Sequence, residues 1–120
     1  MQGIDNKTKV AMNTIQYLAA NKQACPEFLG EVDSAEKAGE LAAECDAVFN
    51  MAIIQGKPIV RGNPRKLIPS IQAVAEANGI KLNDSDLLDV CVEVVDAVGS
   101  DYLSFLGMSE SEFEAAIKAN

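Results

Sequence analysis

A chain of 120 residues, 48% hydrophobic and carrying 18 acids against 10 bases for a net charge of -8, is long enough for one domain with a buried core and too apolar for a disordered one. It has no histidine, which removes the commonest general base, the usual zinc nitrogen ligand and the physiological pH switch together. The first ten residues lack a signal-like apolar core, and no stretch reaches the eighteen or so apolar residues of a membrane span, so a cytoplasmic protein without a membrane partner is expected.

Alanine is the commonest residue and apolar positions recur every three or four residues, which predicts an all-α fold: a single domain over 1–120, built as a compact bundle of five or six helices. The first helix is expected from about Asp5 to Asn21, with Ala11, Ile15, Leu18 and Tyr17 inward. A turn follows over Cys25–Gly30. Asp33-Ser34-Ala35-Glu36 then reads as an N-cap opening a second long helix to about Gln55, whose inner stripe is Ala38, Leu41, Ala42, Cys45, Val48, Phe49, Ala52 and Ile53. Residues 56–69 hold Gly56, Pro58, Gly62, Pro64 and Pro69 and read as an irregular basic loop, with Ile59-Val60 its one extended pair. A third helix, capped by Asn63, runs from Pro64 to Asn78, bends or restarts at Pro69 and stops at Gly79. Asn83 or Asp84 starts a fourth, to about Val98, expected to be the most buried element. A short turn or helix over Ser100–Leu106 precedes a last helix, opened by the capping box Ser109-Glu110-Ser111-Glu112 and running through Ala119.

The charge is uneven. Residues 1–66 balance eight acids with eight bases, whereas residues 67–120 hold ten acids and two bases and so carry the whole excess. Within the fourth helix Asp86, Asp89, Glu93 and Asp96 fall at steps of three, four and three, on one narrow face. The bases Lys57, Arg61, Arg65 and Lys66 cluster in a stretch without acids. The acidic stripe reads as a solvated face, as one neutralised by the basic loop, or as a docking surface for a basic partner. Helix carboxylates alone lack the loop and glycine turn of a calcium site, and no cofactor or metal is expected. Cys25, Cys45 and Cys91 are odd in number, widely spaced and set among apolar residues, as core thiols are.

Catalytic motifs are missing. There is no phosphate-binding glycine loop, and no histidine to activate a serine or cysteine, so no enzyme is expected. Val74–Ile80 with Leu88 is spaced partly like a helix-turn-helix, but Asp84, Asp86 and Asp89 would face phosphates with negative charge, so no direct DNA binding is expected. What remains is interaction: an acidic inhibitor or adaptor docking Asp86, Asp89, Glu93 and Asp96 onto a basic, nucleic-acid-handling protein. The alternative is a structural subunit, virion-like or scaffold, self-associating head-to-tail from the basic loop (Lys57, Arg61, Arg65, Lys66) to the acidic end, with Leu103, Phe105 and Phe113 as exposed apolar centre. Either role suits an accessory protein of a virus or mobile element as well as a cellular adaptor.

Overall fold

Side chains that compete with the backbone mark where most of the helices start. The Asp5 carboxylate accepts the Thr8 amide at 2.8 Å and opens α1 (Asn6–Asn21). A strand, β1 (Glu27–Val32), precedes α2 (Ala35–Glu44), which Ser34 caps by accepting from the Lys37 amide at 3.2 Å. Asn63 and Asn83 do the same for α3 (Pro64–Ala77) and α4 (Asp84–Ser100). After α5 (Tyr102–Leu106), Ser109 and Glu112 bond reciprocally, amide to carboxylate at 3.0 Å and amide to hydroxyl at 3.2 Å, as the capping-box motif requires. This computed structural model describes residues 5–21, 26–107, 109–112 and 115; Cys25, Phe113 and the remainder of the last helix lie outside them.

The expectation of an all-α bundle is wrong. A three-stranded mixed sheet, ordered β1-β2-β3, runs through the middle: β2 (Phe49–Ile54) pairs parallel with β1 and antiparallel with β3 (Lys57–Gly62). The second helix therefore ends at Glu44 rather than near Gln55. Phe49 to Ile54 is a near-continuous apolar run, buried at every position but the half-exposed Ile53, and periodicity alone does not tell such a run from a buried helix. Gln55 and Gly56 follow, both at positive φ (52° and 81°), the condition for a two-residue hairpin turn whose twist matches the strands. The irregular basic loop is thus β3 and the first turn of α3, and the turn over residues 25–30 is in part β1, which carries an irregularity between Phe28 and Glu31.

β1 and β2 run parallel, so the chain must cross between them, and α2 makes that crossing over one face of the sheet. Ala38, Ala52 and Ile54 are buried there, with Leu29, Val32 and Ile59 packed beside them. The other face meets α1, α3 and α4. Val10 and Leu18, Phe49, Ile71, and Val90, Val94 and Val98 form this larger core. Central β2 is the most buried element, not α4, which buries only Val90, Val94 and Val98. Gly62 lets α4 come this close, since a β-carbon there would meet Val95 at 2.8 Å and Leu67 at 2.9 Å. Tyr17 turns outward and Thr14 is buried in its stead. Phe105 is half-buried and stands edge-on to Phe49, centroids 6.0 Å apart, so it belongs to the core and not to a free apolar patch; Leu103 is half-buried too.

Candidate docking face on the acidic helix

α4 has an apolar arc wider than the core can cover. Val90, Val94 and Val98 point into the core, with Leu87 and Cys91 partly buried beside them. The arc continues round the helix to Val95, Leu88 and Val92, and there it emerges: Leu88 is 62% and Val92 61% exposed, one turn apart. Immediately beyond them on the helical wheel stand Asp96 and Asp89, then Glu93. A valine-rich helix with like charges four apart is a poor helix in isolation, so α4 holds its shape through its packing on α1, α3 and β3.

The acidic stripe is divided. Lys7 of α1 reaches Asp89 at 3.0 Å and Asp86 at 4.0 Å, and the Asp89 bond and charge raise the Lys7 ammonium above its ordinary pKa. Asp86 is half-buried at this contact. Glu93 and Asp96 are exposed and make no ion pair among the described residues. The four bases form no single loop. Lys57 begins β3, Arg61 stands near its end, and Arg65 and Lys66 occupy the first turn of α3. Lys57, Arg65 and Lys66 are exposed, while Arg61 is half-buried and its guanidinium lies against α2 at Gly39. None of the four pairs with the acidic stripe, so its neutralisation by a basic loop is corrected to a partial one by Lys7.

A groove of about 300 Å³ separates α4 from the corner where β3 passes into α3. Pro64, Leu67 and Ile68 line one side, Leu88, Cys91, Val92 and Val95 the other, with Arg61 and Asp96 at its two sides. A second depression, of about 510 Å³, lies where α3 turns into α4, lined by Ala75, Ile80, Leu82 and Leu87 with Glu76, Lys81 and Asp84. Neither brings a nucleophile together with an activating base. Burial raises the Cys91 thiol, and burial followed by the Glu27 carboxylate raises that of Cys45, which keeps both in the less nucleophilic neutral form. Among the described residues no group of three histidine, cysteine or acidic side chains could hold a metal ion. No helix among them is long and apolar enough to cross a membrane.

Sequence reasoning placed the acids on one face but missed what lies beside them. The apolar arc of α4 was legible as a valine run, and its exposed shoulder depends on where α3 stops covering it. Lys7 was invisible as a partner because it is 82 residues away in the chain. Asn50 was assigned to a helix; it is wholly buried on β2, opposite Glu27 and Arg61 in the neighbouring strands. The chain matches no protein-family model, no curated protein and no solved structure.

Proposed function

We propose that this chain is a small, non-catalytic interaction module, an inhibitor or adaptor that docks α4 onto a basic and amphipathic segment of another protein. The exposure of Leu88 and Val92 on one side of Asp89, Glu93 and Asp96 carries the reading. Two large apolar side chains one turn apart supply an anchor that becomes dry on contact, and the carboxylates beside them select for lysine or arginine. Basic clefts that ordinarily receive phosphate suit such a face, because fixed carboxylates compete with phosphate for the same cations. The neutral thiols and the overall acidity agree with a binding role.

The test is a titration with a synthetic helix that alternates lysine with leucine on one face, followed by NMR and by fluorescence anisotropy. Amide shifts should map to α4 and the facing turn of α3. Binding should weaken about tenfold or more between low and high salt, and again with Asp96→Lys or Leu88→Asp. A complex indifferent to salt and to Asp89→Lys, or one that leaves the α4 amides unmoved, would sink the reading.

A further inference from the structure

We infer that the α3–α4 face also receives a second copy of this chain, about a two-fold axis running along the groove. Across this face the surface changes in order. Arg65 stands exposed in the first turn of α3, Pro64 and Ile68 come next, then the groove, then Val95, Leu88 and Val92, and last Asp96 and Asp89 on the far shoulder of α4. Arg65 and Asp96 are exposed and make no ion pair among the described residues, so each is available to another molecule.

A face that is basic at one side, apolar in the middle and acidic at the other complements itself in one orientation only. Rotation about an axis along the groove exchanges the two sides, laying α4 of each copy over the β3–α3 corner of the other. Asp96 then meets Arg65 twice, and Leu88 and Val92 enter the facing groove. An axis across the groove would set acid against acid. The contact is isologous, so it closes at two copies rather than growing into a head-to-tail chain. Stable dimers bury about 800 Å² on each partner, and an apolar ridge of a few side chains supplies less, so the dimer dissociates in the micromolar range. Pairing would hide Leu88 and Val92, and so compete with the basic partner proposed above without requiring that partner to exist.

Sedimentation velocity from about 5 to about 500 μM should show monomer passing into dimer and no larger species, with the dimer weakened about tenfold or more by high salt. Val92→Glu should remain monomeric. Arg65→Glu and Asp96→Arg should each weaken pairing at least tenfold, and the two together should restore it. All these positions are exposed, and unchanged thermal melts confirm that the variants fold. A monomer at every concentration, a dimer indifferent to Val92→Glu, an open-ended polymer, or a double variant no better than the single ones would each overturn the proposal. Arg65 lies off the acidic stripe, so Arg65→Glu should weaken pairing at least tenfold while the lysine-leucine helix still binds. Failure of the helix to bind a protein that does pair would count against the proposed function alone.

Discussion

The amide nitrogen of Asn63 donates to the carbonyls of Cys45 and Ala47, its oxygen accepts from the Arg65 amide, and its backbone amide reaches the Val48 carbonyl at 2.8 Å. One buried side chain thereby caps α3 and fastens the segment that follows α2 to the segment that follows β3. Asn63→Ala removes the cap and two further bonds and leaves carbonyls without that donor, so it should cost about 2–4 kcal/mol, measured by urea unfolding. Asp5 makes a pH prediction. The Thr8 amide bond, then the Thr8 hydroxyl, hold its carboxyl below the usual 3.8, so its contribution is complete above that value and is lost as pH falls through the lowered folded value. Asp5→Asn keeps a capping oxygen without the titration, and the loss of stability from pH 5 downward should become shallower. Lys7 works in the opposite sense. Its raised pKa makes the contact with Asp89 complete below 10.5 and lost as pH rises through the folded value. Alkaline titration followed by the Asp89 NMR signal would show the bond released above that point.

The β2–β3 hairpin turns on Gln55, the one described non-glycine residue at positive φ. Asparagine tolerates that conformation better, so Gln55→Asn should stabilise the fold by about 0.5–1 kcal/mol, seen as a higher urea midpoint with unchanged slope. This hairpin also shows why the helices were legible and the sheet was not. Helix starts are written in short-range chemistry: Asp5, Ser34, Asn63, Asn83 and the Ser109-Glu112 pair each bond within three residues, so a reader of the sequence can find them. Strand identity in β2 is set by neighbours outside it, since Phe49–Ile54 suits a buried strand and a buried helix alike until α2 ends at Glu44 and Gln55-Gly56 turns the chain back. The candidate site divides in the same way. Spacing alone placed Asp86, Asp89, Glu93 and Asp96 on one face. The exposure of Leu88 and Val92, the groove beside Pro64 and Ile68, and the hold of Lys7 on half the stripe arise from packing between distant elements.

In three layers, with α2 on one side of the sheet and α1, α3 and α4 on the other, β2 lies at the centre and is covered on both faces. Its amide protons, Asn50 to Ile54, should be the slowest of the whole chain to exchange with solvent, and they should exchange at the rate of global unfolding; faster exchange there than in α4 would show that the layers open separately. The outer strands have a different consequence. β3 presents Lys57, Pro58 and Arg61, and β1 presents Glu27 and Glu31 around an irregularity in its register. Charge, a missing amide hydrogen and a broken ladder are the devices that deter one sheet from adding strands of another. Aggregation through sheet extension is thereby discouraged at both margins, which leaves any ordered association of this chain to its helices.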